Sequence, residues 1–225
     1  MNVAERYAAL RTEIDMALGA CGRAAGSVTV VGVAKRQPLE AVREALDAGL
    51  EDIGENYVQE ARHAFAALPR VRRHFLGHVQ TNKAKPIAEL FDVVQSVDRL
   101  DAGLALAKAA AGLGRTLPVL IQINISAAER FGCPPEEAVR LAERLRAEAS
   151  LRVDGIMAIA PLEADRTAIA DAFETAAKTF ARVGGSTLSI GMSGDWREAV
   201  RAGSTMVRIG TALFGERGPT RRAPP

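Results

Sequence analysis

Lysine is scarce in this chain: five lysines stand beside 24 arginines in 225 residues. An arginine stays charged at physiological pH, whereas a lysine in apolar or cationic surroundings can lose its proton and act as an amine nucleophile, so each lysine position is informative. Cysteine is scarcer still. Cys21 and Cys133 carry neither a pairing motif nor metal-ligand spacing, which excludes a disulfide framework and a zinc module and fits a reducing compartment. No stretch approaches about 18 uncharged apolar residues, and the N-terminus carries Glu5, Arg6, Arg11 and Glu13. Neither a membrane partner nor a signal peptide is therefore expected, and the chain reads as cytoplasmic. The formal charge of +2 is too small, and the basic residues too scattered, for a nucleic-acid partner; Arg70, Arg72 and Arg73 form the one tight group before the tail.

What remains is an ordinary globular composition, long enough for one large core and one domain. After a helical stretch over residues 2–24, eight short apolar runs alternate with amphipathic helical patterns: Thr29–Ala34, Asp52–Glu55, Arg73–Gly77, Val93–Val97, Pro118–Ile125, Val153–Ile159, Thr187–Gly191 and Met206–Ile209. Helix signals lie between them. Pro38 precedes Leu39 and Gly49 stops that helix, Pro134 and Pro135 lead into Leu141 and Leu145, and Asp165 is placed to cap a helix carrying Ile169, Phe173, Ala176 and Phe180. Eight strand–helix units with near-continuous apolar strands imply parallel strands buried on both faces, and thus a single closed α/β barrel, (β/α)8, with an N-terminal helix. An open doubly wound sheet is the rival, but its Gly-rich turn is absent: the first strand runs into Lys35-Arg-Gln-Pro38. The expected domain is residues 1–217, with a flexible proline-rich tail at 218–225.

In such a barrel, function sits where strands end. Those ends carry Lys35; Glu55 and Asn56; His78, Gln80 and Asn82; Ser96 and Asp98; Asn124 and Ser126; Met157; Ser193 and Asp195; then Arg208, Gly210 and Thr211. Singly, each has a structural explanation: Lys35 as a lysine snorkelling from a strand end, Asn56, Ser96 and Asp98 as helix caps, His78 as a satisfied structural histidine. Their recurrence on one face favours a site.

The strongest chemistry lies at the last two strands. Gly191-Met-Ser193-Gly194-Asp195 and Arg208-Ile-Gly210-Thr211 both end in small residues at helix starts, where backbone N–H groups and a hydroxyl can receive a phosphate. Barrel closure puts that anion site next to Lys35. An amine and a phosphate anchor in one mouth suggest a phosphate-tethered aldehyde held as an imine, pyridoxal 5'-phosphate, with Arg208 facing its ring nitrogen and keeping it unprotonated. A class I aldolase acting on a phosphorylated sugar through Lys35 would use the same parts.

Here the chain resembles the pyridoxal phosphate homeostasis proteins over nearly its whole length. The resemblance is carried by Val33-Ala-Lys35, Gly54-Glu-Asn-Tyr-Val-Gln-Glu60, His74-Phe-Leu-Gly-His-Val-Gln-Thr-Asn-Lys83, Gln95-Ser-Val-Asp98, Gln122-Ile-Asn-Ile-Ser126, Gly155-Ile-Met-Ala158, Gly191-Met-Ser-Gly-Asp195 and Gly203-Ser-Thr-Met-Val-Arg-Ile-Gly-Thr211. It implies a barrel of the alanine-racemase type with the cofactor on Lys35. Ser193, Gly194, Gly210 and Thr211 are implied as the phosphate cradle, Arg208 as the ring-nitrogen partner, and Asn56, His78 and Met157 as residues lining the ring. No metal and no catalytic residue are implied. Two positions depart from the family: Ala34 stands where serine is usual, and the loop after the fifth strand reads Ser126-Ala-Ala-Glu-Arg130, with arginine near a position where the family often has an imine-capable lysine.

Racemases of this barrel type draw a second base from a further domain and a partner subunit. This sequence ends 16 residues after the eighth strand, and its tyrosines are Tyr7 and Tyr57. Without a second base, two-sided proton transfer loses a factor of order 10² to 10⁴. The expected role is storage, protection or delivery of the cofactor, with PLP-dependent apo-enzymes as transient partners and a monomeric state. A slow amino-acid racemase or lyase is the alternative.

Overall fold

A computed structural model describes residues 1–68, 71–126, 128, 130–162 and 164–215. The expected tail at 218–225, and the domain limit at 217, lie outside the described residues. Eight strands, β1 Thr29–Val33, β2 Asp52–Glu55, β3 Arg72–Phe75, β4 Val93–Val97, β5 Leu117–Ile123, β6 Leu151–Ala158, β7 Thr187–Ser189 and β8 Met206–Ile209, pair in parallel and in chain order into a closed barrel. The strands are built largely from Val, Ile and Leu, which suit a pleated surface buried on both sides. Closure comes from β8 against β1, with Val31 opposite Arg208 and Gly32 opposite Ile209.

The helices α1 Val3–Ala20, α2 Leu39–Asp47, α3 Val58–Ala67, α4 Ala84–Leu90, α5 Leu100–Gly112, α6 Ala138–Arg146, α7 Arg166–Val183, α8 Trp196–Arg201 and α9 Thr211–Phe214 ring the barrel. The first ends four residues short of the expected limit, because the chain turns at Cys21, whose N–H donates to Leu18 O. It packs over the closing seam, where Arg6 Nε and Nη2 donate to Leu213 O and Phe214 O at 2.8 and 3.2 Å and so satisfy carbonyls at the end of α9. Asp165 caps α7 by accepting from Ala168 N at 2.8 Å, as its position predicts. No helix of the described residues is long and apolar enough to cross a membrane.

Between strands and helices the packing is apolar, with Ile53, Phe91, Leu106, Leu145 and Phe173 fully buried. The barrel interior departs from that rule. Asp52, His74, Gln95, Ser189 and Arg208 are all buried on its strands, where branched apolar residues usually dominate.

Gly77, just past β3, shows how tightly the mouth is built: a Cβ there would stand 2.0 Å from the Asn56 carbonyl oxygen. Ser96 Oγ also donates to Gly77 O at 2.5 Å, fixing the same peptide from the other side. Gly77→Ala is expected to lower stability by about 1–3 kcal/mol, measured by urea denaturation; an unchanged midpoint would refute this account of the β2–β3 corner.

Candidate functional site

Lys35 is presented by a turn rather than by the strand itself. Ala34 N continues the ladder by donating to Gly54 O at 3.0 Å, and Gln37 N then closes a turn on Ala34 O at 2.9 Å. Arg36 sits at φ 58°, in the left-handed region that a non-glycine residue enters at a cost. The chain thus leaves the barrel sharply, with Lys35 at its lip. Its Nζ lies 4.9 Å from the centroid of the Tyr57 ring, which is 45 % exposed at the start of α3. Tyr57 is a neighbour that sequence reasoning did not select.

Opposite Lys35 across the seam, the ends of β7 and β8 are tied together. Asp195 accepts from Met192 N at 2.5 Å and its own N–H donates to Met192 O, which locks the 192–195 turn with Ser193 and Gly194 at its tip. Ser193 Oγ accepts from Ala212 N at 3.1 Å, joining that turn to the start of α9 and leaving the hydroxyl proton to donate elsewhere. The N–H groups of Ser193, Gly194, Gly210 and Thr211 meet no backbone carbonyl among the described residues. A Cβ on Gly194 would have no atom within 4 Å, and one on Gly210 would meet only Val33 at 3.8 and 3.9 Å. Neither glycine is required by positive φ or by protein sterics. What they keep clear is space over unpartnered donors, and that is the geometry of an anion cradle. Helices α8 and α9 are too short for a large macrodipole, so the N–H groups themselves carry the attraction.

Arg208 is 4 % exposed on β8. Nη1 donates to Ser189 O at 2.6 Å and Ser189 Oγ at 2.7 Å, and Nη2 donates to Ala158 O at 2.8 Å. Two of its five N–H donors are left after these bonds. Burial pushes its pKa down to about 10, opposed by the Asp195 carboxylate, so it remains a cation at neutral pH.

Asn56 and His78 follow β2 and β3 at the same end, and Met157 is buried on β6 opposite Ser189. The capping roles expected for Asn56, Ser96 and Asp98 are not taken up: the N-caps of α3 and α5 are Tyr57 and Arg99, neither with a side-chain cap, and Ser96 lies within β4, where it donates to Gly77 O. Arg99 Nη1 donates to His78 Nε2 at 3.0 Å, which assigns the ring proton to Nδ1, 3.7 Å from Asp98 Oδ2. Phe131 stacks on the His78 ring at 4.0 Å although 62 % exposed, a contact no spacing in the sequence announces. Arg130 turns away, toward Ala160 O at 3.4 Å.

Comparison with known proteins places this geometry in context. Residues 9–218 match the family described as "Alanine racemase, N-terminal domain". The chain is 42 % identical over 222 residues to the pyridoxal phosphate homeostasis protein of Pseudomonas aeruginosa, covering 96 % of both chains. It is 38 % identical over 227 residues to that of Escherichia coli K12, covering 96 % of this chain and 97 % of that one. Among solved structures, PipY of Synechococcus elongatus with PLP bound superposes with a TM-score of 0.83 at 33 % identity, covering 95 % of this chain and all of the other. Alanine racemase from E. faecalis superposes with a TM-score of 0.74 at 15 % identity; it shares the fold, and this chain spans 59 % of its length.

The electrostatics beside Lys35 are set by Glu55. It is 2 % exposed, and burial first, then the Glu60 carboxylate, push its pKa up to about 7, against smaller lowering by the Asn56 N–H and Lys35. Oε2 of Glu55 and Oε2 of Glu60 are both buried with no hydrogen-bond partner among the described residues. Above the ordinary carboxylate value of 4.5 the unfolded chain releases a proton that the folded chain keeps until about pH 7. Stability therefore falls as pH rises through that window and levels off beyond it. Glu55→Gln never ionises there, so its unfolding free energy relative to the unmodified chain is expected to rise by on the order of 3 kcal/mol between about pH 4.5 and pH 8. Parallel urea-denaturation profiles for the two proteins would contradict it.

Proposed function

The chain belongs to the pyridoxal phosphate homeostasis protein family, with its alanine-racemase-type barrel, and from that premise we propose that it binds pyridoxal 5'-phosphate at the barrel mouth and serves to store, protect or deliver it. The observation that carries this reading is the tied pair of loops after β7 and β8, with unpartnered N–H groups and glycine-cleared space, beside the amine of Lys35. That donor set fits a phosphate-tethered aldehyde. Ser193, Gly194, Gly210 and Thr211 would receive the phosphate, and Lys35 would supply the amine. Asn56, His78 and Met157 would flank the ring. Held there, the group would supply an aldehyde that can condense reversibly with an amine, losing water on attachment and taking it up again on release.

Arg208 supports the carrier role over catalysis. A permanent cation with two N–H donors to spare offers the ring nitrogen a donor and no proton, and an unprotonated ring is a poor electron sink. Ala34 is buried with its N–H bonded to Gly54 O, so the loss of the family's serine hydroxyl leaves the presentation of Lys35 intact. Transient handover to PLP-dependent apo-enzymes by a monomeric, cytoplasmic carrier completes the reading.

The holo-protein is expected to be yellow, with imine absorbance abolished by Lys35→Ala; a colourless preparation that takes up no cofactor would overturn the reading in favour of aldolase chemistry. Incubating the holo-protein with amino acids in deuterated water should give no turnover-linked exchange at Cα, and rapid exchange would restore the racemase or lyase alternative. Gly194→Ala is expected to weaken cofactor binding about tenfold or more, equivalent to roughly 1.4 kcal/mol, with thermal unfolding of the apo-protein unchanged, since the added methyl meets only open space.

A further inference from the structure

The buried polar residues inside the barrel form one unbroken, directional chain that ends on Arg208. Ser189 Oγ accepts from Arg208 Nη1 at 2.7 Å and lies 2.6 Å from Gln95 Oε1, which can only accept, so the serine proton points to Gln95. Gln95 Nε2 lies 2.8 Å from His74 Nδ1 and donates its other proton to Met206 Sδ at 3.2 Å. The thioether sulfur can only accept, which fixes the orientation of the amide: the flipped form would set its oxygen against a sulfur lone pair. Nδ1 of His74 is thereby the acceptor, and its Nε2 carries the proton and donates to Asp52 Oδ1 at 2.7 Å. Asp52 is 3.6 Å from Arg72 Nη1 at the opposite end of the barrel. Every donor thus points the same way, from the guanidinium at the mouth to a carboxylate at the far end, through β8, β7, β4, β3 and β2.

Stability alone does not call for this arrangement. Each of the five residues is at least 95 % buried, and a buried polar network of this kind is often no more stable than apolar packing of the same volume. What it provides is position. Arg208 has a long, rotamer-rich side chain, held by the Ser189 and Ala158 carbonyls and by the Ser189 hydroxyl; the hydroxyl is in turn held by the amide of Gln95, which has one workable orientation because His74 and Asp52 fix it from behind.

We propose that Gln95, backed by His74 and Asp52 and acting through Ser189, is the positioning residue for Arg208, holding its guanidinium where it faces the cofactor ring nitrogen. This rests on the reading of the site given above. Cutting the chain at Gln95 leaves the Ser189 hydroxyl free to rotate, so that the guanidinium keeps only the Ser189 and Ala158 carbonyls and can shift on them away from the ring nitrogen. The ring nitrogen then faces water and takes up a proton.

The test loads the full-length protein with pyridoxal 5'-phosphate labelled with nitrogen-15 in the ring and follows that resonance against pH. Gln95→Met preserves side-chain length and roughly the volume while removing both polar ends; Ser189→Ala cuts the chain one link nearer Arg208 and serves if the first variant fails to fold. In the unmodified protein the ring nitrogen is expected to be unprotonated near neutral pH. In either variant its protonated fraction should rise about tenfold, corresponding to a shift near one pH unit, while the imine absorbance from Lys35 persists. A labelled, imine-bound cofactor whose ring resonance is the same in both variants as in the unmodified protein, even with lower thermal stability, would overturn the proposal and leave the chain a purely structural one. Failure of the unmodified protein to bind the cofactor would instead overturn the reading of the site, and this proposal with it.

Discussion

Everything at the barrel mouth depends on the ladder between β8 and β1, in which Val30 pairs with Val207, Val31 with Arg208 and Gly32 with Ile209. Two segments almost 180 residues apart in sequence become neighbours through it, and with them the only lysine at a strand end and the loops able to hold an anion. A parallel pair of this kind is slow to find, since the loop it closes spans nearly the whole chain. Once β1 to β8 have paired in order there is no free edge. The register then leaves Lys35 no choice of neighbour, because Gly210 lies against Val33 and Gly54 against Val33 from the other side. Helix α1, anchored by Arg6 on the carbonyls of α9, braces this seam from outside.

The same closure explains why the interior can be polar. Asp52, His74, Gln95, Ser189 and Arg208 come from five different strands, and none could satisfy its hydrogen bonds within its own strand. Partial formation would leave buried donors and acceptors exposed to the full desolvation penalty, which ties this network to complete assembly of the barrel. Glu55 is the counter-example. Its strand directs it outward, toward α2 and α3, where it meets a second carboxylate and no donor for Oε2, and it keeps its proton instead.

Where strands begin and end was legible in the sequence because each is a dense apolar run set between turns and amphipathic helices. All eight start within two residues of their apolar run, and their order in the sheet follows from parallel pairing. Arg208, Lys35 and the glycine–hydroxyl segments could be found for the same reason: they stand where such runs stop. The interior network could not. His74 and Gln95, or Gln95 and Ser189, carry no mutual spacing in sequence, since their contact is set by barrel radius and strand stagger rather than by any local period. Nor was the stacking of Phe131 on His78 visible, as it depends on where the loop after β5 folds back. Asn56 and Asp98 misled in the opposite direction: residue type suited them to cap helices, but α3 and α5 begin one residue later, at N-caps without a side-chain bond.

The barrel is shared with racemases, so fold says little about whether bound cofactor reacts. The residues at the barrel mouth do say something. Carbanion chemistry needs a ring that accepts electrons and a base on each face of the substrate. On the site proposed above, Arg208 would work against the first, because burial lowers its pKa only to about 10 and leaves it charged. For the second, Lys35 is one base, and the Tyr57 ring beside it faces the Lys35 Nζ with its π-face, 4.9 Å to the centroid, rather than with its hydroxyl. His78 Nε2 is committed to Arg99 and Asp195 to the Met192 N–H, while Glu55 points out of the barrel, toward α2 and α3. On the proposed reading, an anion cradle, one amine and a cation at the ring nitrogen would suit holding an aldehyde cofactor better than driving carbanion chemistry with it.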